Sequence, residues 1–305
     1  MKGKAKVEKP FKCVTLVGSG FLGSQIAMVA AYAGYKVKIY DPQENAFVKT
    51  YDKIHSDLQM KGVTPFVPWE KWEECRDSIE QTMEIGEAVK DAQLVIEVAP
   101  EIEDLKKSIF KQLGELTSSE CILATNSSSM PVSRFEEISG RPERCLNLHF
   151  YLPLQGMNMA DVMGGSKTLP EVIEAGRNFI RSLGDIPLTV KKEILGFCFN
   201  RVWRAIKKET LYMWGNGFVD HTDIDRAWMI FTGMKMGPFA LMDSVGLDVV
   251  HDIEMVYANE SKDSKDVPPK ALKDMIDKGD LGVKSGKGFY TYPNPDFLDP
   301  NFLKP

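Results

Sequence analysis

Through the first two-thirds of the chain, short apolar runs alternate with longer amphipathic stretches. Runs too short to be buried helices predict strands at 14–17, 36–40, 94–99, 121–125, 145–150 and 184–190, with a weaker one at 78–82. Between them the pattern predicts helices at 24–33, 44–60, 69–76 and 105–116, the last with apolar residues at 105, 109, 110, 113 and 116. The prolines of segment 63–69 forbid a regular helix there. From about residue 189 the strand pattern stops, and helices are predicted at 196–214, 222–232, 241–257 and 269–278. Strands alternating with helices give a doubly wound α/β sheet of the Rossmann type, followed by a smaller all-α domain. The expected division is 1–190 and 191–305. The tryptophans and methionines of the second part, from Trp203 to Met236, read as core or subunit interface.

Length and composition agree with this picture and exclude some classes. A chain of 305 residues with 43% hydrophobic and 27% charged residues suits two globular domains. A net charge of -5 argues against a nucleic-acid partner. Lysines 2, 4, 6, 9 and 12 precede no apolar segment, so they read as a solvated tail and not a signal peptide. No apolar run of about 18 residues is present, so no membrane span is expected. The five cysteines are scattered and form no C-x-x-C pair, which fits buried, reduced thiols in a cytoplasm and no metal site.

The first strand runs directly into Gly18-Ser-Gly20-Phe21-Leu22-Gly23, and Asp41 closes the next strand. This is a dinucleotide signature because of its setting between a strand and a helix. Gly18 permits the tight turn, Gly20 lets the backbone approach a pyrophosphate, and Gly23 lets the helix pack on the strand. The helix N-terminus offers free N–H groups to the anion. Asp41 would accept from ribose hydroxyls and repel a 2′-phosphate, which favours NAD over NADP. FAD and nucleotide-sugar folds share this opening, so hydride transfer must be argued elsewhere.

In such a sheet, ligands bind beyond the carboxyl ends of the strands. Asn126-Ser127-Ser128-Ser129 follows one predicted strand, His149 ends the next, Asp161 comes after an apolar stretch, and Asn200 opens the helical part. A histidine is the natural acceptor for the proton left by hydride transfer, and a carboxylate can fix its tautomer. Each has a plain alternative: a core histidine, a helix cap, a turn acid, a bridging asparagine.

Taken together, these residues resemble the 3-hydroxyacyl-CoA dehydrogenase family over residues 13–292. The family's N-T-S-S corresponds to 126–129, and its R-P-E-R-x-x-G-L-H-F-F to Arg141-Pro-Glu-Arg-Cys-Leu-Asn-Leu-His149-Phe-Tyr151. G-F-x-x-N-R corresponds to Gly196-Phe-Cys-Phe-Asn200-Arg201, M-G-P-F-E-L-x-D to 236–243, and G-K-G-F-Y to 286–290. The resemblance implies His149 as catalytic base, Asp161 as its carboxylate partner, Ser128 on the substrate hydroxyl and Asn200 on substrate. It places Glu101, Lys106, Asn126 and Ser128 beside the cofactor, with Phe21 and Leu22 in the glycine turn.

The chain also departs from the pattern. The family's glutamate, in L-V-E-V, is Asp161, shorter by about 1.5 Å, so a backbone shift or a bridging water is expected. The H-F-F-N-P asparagine is Leu152, D-T-P-G-F is 193–197, and the stretch from Asp41 to Glu101 is short; only Lys61 is a loose candidate for a CoA contact. The 20–27 opening and the 191–193 run look like bacterial diketoreductase-type members. The resulting expectation is a cytoplasmic NAD-dependent oxidoreductase interconverting an (S)-3-hydroxyacyl-CoA and its 3-keto form, as in fatty acid metabolism, and dimeric through its helical domain. The alternatives are the same chemistry on a free β-keto acid or ester, and an NAD-binding structural protein without turnover.

Overall fold

The computed structural model describes residues 8–304, apart from 61, 63–64, 152–153 and 155–157. The chain divides into two compact units, one ending at Cys198 and one beginning at Phe199.

The first unit is built on eight strands: β1 (Cys13–Val17), β2 (Lys36–Tyr40), β3 (Glu80–Thr82), β4 (Leu94–Glu97), β5 (Ile122–Thr125), β6 (Cys145–Phe150), β7 (Met159–Gly164) and β8 (Ile186–Val190). Their order in the sheet is β3-β2-β1-β4-β5-β6-β7-β8. The neighbours from β3 to β6 are parallel, β6 and β7 are antiparallel, and β8 runs parallel to β7. Chain progression reverses between β1 and β4, the switch point where a crevice opens. The helices are α1 (Phe21–Tyr32), α2 (Ala46–Met60), α3 (Trp69–Asp77), α4 (Ile85–Val89), α5 (Glu103–Leu116) and α6 (Pro170–Ser182).

One apolar core joins residues of α1, α2, α3 and α6 to the sheet, and a second joins residues of α4 and α5. Strands covered on both faces explain the near-continuous apolar runs of β1, β4 and β5. The doubly wound expectation stands. The amphipathic spacing of α5 buries Ile109, Phe110 and Leu113, each worth about 1.5–3 kcal/mol of burial. The pattern of residues failed to announce α4, α6 and β7. In α6 the seam runs through Gly176, where a Cβ would lie 2.8 Å from Leu146, so the apolar stripe is interrupted by a glycine. In β7 the apolar run is broken by Asp161, which is fully buried.

Beyond β8, residues 191–198 remain part of the first unit: the Ser133 amide donates to Glu193, and Phe197 packs on His149.

The second unit is helical: α7 (Phe199–Gly215), α8 (His221–Thr232), α9 (Pro238–Val245), α10 (Leu247–Ser261) and α11 (Lys270–Asp277). The single helix expected over 241–257 is two helices. They meet at Gly246, whose φ of 103° ends the first and lies outside the helical range. Two buried aspartates organise this unit. Asp225 of α8 accepts the Phe239 and Ala240 amides (2.9 and 3.0 Å), capping α9 from a neighbouring helix, and also the Tyr290 hydroxyl at 3.0 Å. A Cβ on Gly237 would come within 2.3 Å of that carboxylate. Asp243 accepts the Phe289 and Tyr290 amides at 2.9 Å each and the Tyr292 hydroxyl at 3.0 Å. The 236–243 and 286–290 motifs therefore hold the helical unit together. Asp266, at the end of the charged run 260–266, pairs with Arg204 at 2.9 Å and with Lys208.

Candidate active site

The three glycines of the opening turn take three different physical roles. Gly18 has φ of 114°, and a Cβ there would lie 2.7 Å from the Val98 carbonyl. A Cβ on Gly23 would lie 2.2 Å from the Gly18 carbonyl. At Gly20, the N-cap of α1, a Cβ would meet nothing within 4 Å. Gly18 and Gly23 are needed by the fold, whereas Gly20 faces open space at a helix N-terminus, where an anion is favoured. Phe21 and Leu22 form the first turn of α1, Phe21 exposed and Leu22 packed on the core.

Beside this turn a cavity of about 330 Å³ is lined by Ser19, Ile39, Asp41, Asn45, Phe47 and Thr82 among others. Asp41 is held by the Ser19 amide (2.9 Å), the Ser19 hydroxyl (2.8 Å) and the Gln43 amide (3.0 Å). A cavity with apolar side chains such as Ile39 and Phe47 and a fixed carboxylate just past β2 fits an adenosine with free ribose hydroxyls.

Further along the sheet edge, Glu97 ends β4 with no exposure at all. Its carboxylate accepts from Lys106 Nζ (2.7 Å), the Ala99 amide (2.7 Å) and Thr125 Oγ1 (2.6 Å). Lys106 is also buried, and reaches the Ala99 carbonyl (3.2 Å) and Glu101 (3.3 Å). Removing one partner of such a buried pair costs about 3–5 kcal/mol. Glu101 receives the Ser127 hydroxyl and both the amide and hydroxyl of Ser129, at 3.0 and 2.7 Å. Burial opposes its charge, but these donors and Lys106 outweigh that cost and hold it below the ordinary glutamate range. Asn126 ties three strands: its amide donates to the Glu97 carbonyl (2.9 Å) and its Oδ1 accepts the Phe150 amide (2.8 Å).

At the end of β6 three of the expected residues form a continuous chain. Ser128 Oγ lies 3.0 Å from His149 Nε2, and His149 Nδ1 lies 3.1 Å from Asp161 Oδ2. His149 and Asp161 are direct partners in the β6–β7 register. The shorter carboxylate therefore bonds the imidazole directly, without the bridging water considered from sequence. The Tyr151 hydroxyl also donates to Asp161 Oδ2, and the Cys198 amide donates to Oδ1 at 3.3 Å. The imidazole lies parallel to Phe197, 4.7 Å between ring centres, and meets Tyr151 edge-on at 4.6 Å. Phe197 has φ of 51°, a conformation costing on the order of 1 kcal/mol for a bulky residue, directly after Gly196.

Asn200 stands on α7 of the second unit, and Lys61 and Leu152 lie outside the described residues. Glu97, Tyr151 and Phe197 are the residues of this region without a role in the sequence reading. A charged residue in the apolar run of β4 is the signal that marks Glu97. Tyr151, two residues past His149 on an extended chain, shares its face.

A dinucleotide fold whose sheet edge carries a serine–histidine–aspartate chain is the layout of a dehydrogenase. Residues 13–194 match the NAD-binding domain of 3-hydroxyacyl-CoA dehydrogenase and 196–292 match the C-terminal domain of the same family. The chain belongs to the 3-hydroxyacyl-CoA dehydrogenase family, and is an NAD-dependent oxidoreductase. It is 31% identical over 280 residues to a probable 3-hydroxybutyryl-CoA dehydrogenase of Deinococcus radiodurans, covering 91% of this chain and 99% of that one. It is 28% identical to the 5-formyl-3-hydroxy-2-methylpyridine 4-carboxylate 5-dehydrogenase of Mesorhizobium japonicum, over 92% of this chain and 90% of that one. Among solved structures, a diketoreductase described as acting on dicarbonyl compounds superposes with a TM-score of 0.83 at 34% identity, covering 92% of this chain and 99% of that chain.

Proposed function

We propose that this protein interconverts an (S)-3-hydroxyacyl-CoA and its 3-ketoacyl-CoA with NAD, and that His149 is the general base. The Ser128–His149–Asp161 chain carries this reading, because it supplies one proton acceptor, fixed in one tautomer, at the sheet edge that holds the nucleotide fold. Bound NAD supplies the acceptor for the hydride leaving the carbinol carbon. In oxidation His149 Nε2 takes the hydroxyl proton, and Asp161 accepts from Nδ1–H and stabilises the imidazolium. Ser128 holds the same hydroxyl oxygen. Asn200 is assigned to the substrate on the family pattern alone. Glu101, Lys106 and Asn126 are assigned to the cofactor site on the family pattern, with Lys106 also pairing with Glu101 at 3.3 Å. In reduction the proton returns from His149.

A free β-keto acid or dicarbonyl ester is the second reading. The likeness to the diketoreductase favours it, as does Leu152 in place of the family's H-F-F-N-P asparagine. NADH consumption with acetoacetyl-CoA, acetoacetate and a β,δ-diketo ester separates them. A preference for the thioester supports the first, and turnover confined to the unthiolated compounds overturns it. Tight NADH binding without turnover of any of them would revive a purely structural protein, which the intact Ser128–His149–Asp161 chain argues against.

The same reading includes a homodimer. Val249, Ile253 and Val256 form an exposed apolar stripe at helical spacing on α10, and Phe231 on α8 is 92% exposed. A second copy covering these faces accounts for them, and sedimentation as a monomer would refute it. No helix among the described residues is long and apolar enough to cross a membrane. A cytoplasmic place fits five unpaired cysteines, and a role in fatty acid metabolism is assigned on the family pattern alone.

A further inference from the structure

We infer that Tyr151 is a positioning residue for the base: its phenol shares the carboxylate that orients His149, and so sets how firmly that histidine holds a proton. The inference rests on His149 as the base, and concerns a residue to which the family pattern gives no role.

The geometry is specific. Asp161 has no exposure, and its carboxylate is engaged on both oxygens. Oδ2 receives His149 Nδ1 and the Tyr151 hydroxyl; Oδ1 receives the Cys198 amide. A carboxylate has about four acceptor sites, so three fixed donors leave little capacity for water. Each donor disperses its negative charge. Charge drawn toward the phenol is withdrawn from the imidazolium, which weakens the base relative to a site with phenylalanine at 151.

Composition points the same way. The H-F-F and L-V-E-V patterns place phenylalanine and glutamate where this chain has Tyr151 and Asp161. The carboxylate arm is shorter by a methylene and the ring is longer by an oxygen, so the pair keeps its count of heavy atoms. In a close-packed interior such paired changes conserve volume. Among the described residues, β6 and its extension give Tyr151, β7 gives Asp161, the 126–129 loop gives neutral Ser128, and 195–198 gives Phe197 and the Cys198 amide, its thiol exposed. Leu188 of β8 pairs with Asp161 from the other side.

The test is an NMR titration of the His149 imidazole in the full chain, its resonance identified by its loss in His149→Gln. In Tyr151→Phe the titration midpoint is expected to rise by about half to one pH unit, a factor of about 3–10 in proton affinity. A midpoint that is unchanged or falls overturns the inference. If Tyr151→Phe does not fold, the Tyr151→Phe/Asp161→Glu double variant serves, with the same expected rise and the same contradiction. Asp161→Glu alone overfills the site, and its loss of melting temperature should be at least partly recovered in the double variant; strictly additive losses also contradict the pairing. The base assignment fails separately: His149→Gln would then turn over at a near-parent rate, whatever Tyr151 does to the titration.

Discussion

His149 and Asp161 are direct cross-strand partners, His149 one residue before the end of β6 and Asp161 inside β7, with Nδ1 and Oδ2 3.1 Å apart. Opposed residues of an antiparallel pair bring their Cβ atoms within about 5 Å, which is why an aspartate suffices where the family pattern has a longer carboxylate. The register of the sheet, and no loop, sets this geometry. Asp161→Asn keeps the shape but turns an amide donor toward Nδ1–H, favouring the wrong tautomer. The expected loss in kcat is about 10²–10⁴-fold with NADH affinity retained; stopped-flow turnover beside a fluorescence titration of NADH checks both.

The glycines of the first turn separate fold from binding. Gly20→Ala should fold with a melting temperature near that of the parent, since its Cβ meets nothing within 4 Å, yet bind NADH at least tenfold more weakly. Gly23→Ala places its Cβ 2.2 Å from the Gly18 carbonyl and should lower the melting temperature by several degrees. Calorimetry and NADH titration on the two variants distinguish these outcomes.

Glu101 is held below the ordinary glutamate range because Ser127, Ser129 and Lys106 outweigh its burial. A depressed carboxylate contributes stability above its unfolded value of about 4.3 and loses it as pH falls toward and through its lower folded value. The melting-temperature gap between parent and Glu101→Gln should therefore be largest near pH 7 and close below pH 4. A gap independent of pH would contradict this account.

Thiol chemistry should follow burial. Cys13, Cys75, Cys121 and Cys145 are buried and Cys198 is exposed. Burial raises all four buried thiols, Cys121 to about 11 and Cys145 to about 12. At pH 8 a disulfide reagent should modify Cys198 promptly in the native protein, and the other four only after denaturation. Rapid native labelling of Cys121 or Cys145 would show that the β5–β6 core opens.

Much of this was legible before the structure. Strands with apolar residues on both faces, and a glycine turn between strand and helix, are strong local signals, and they placed β1, β2 and the nucleotide edge. Ser128, His149 and Asp161 were legible as a group only through their order in the family pattern, since nothing local distinguishes a strand-end histidine from a core one. What stayed hidden was non-local. Asp161 interrupts the apolar run that would announce β7, and its purpose is visible only across the sheet. Gly176 masks the stripe of α6 for a similar reason: the space it leaves belongs to Leu146 on another strand. Glu97 and Lys106 form a buried pair whose members are nine positions apart, and Phe197 reaches His149 through a left-handed backbone that Gly196 alone hints at.

The most direct test of the account is His149→Gln, assayed for NADH-linked turnover of acetoacetyl-CoA and a β,δ-diketo ester, with NADH affinity measured in parallel. The account predicts a fall of about 10²–10⁴-fold in kcat on whichever compound the parent accepts, with NADH binding unchanged. A variant that turns over within a few-fold of the parent would show that the proton goes elsewhere.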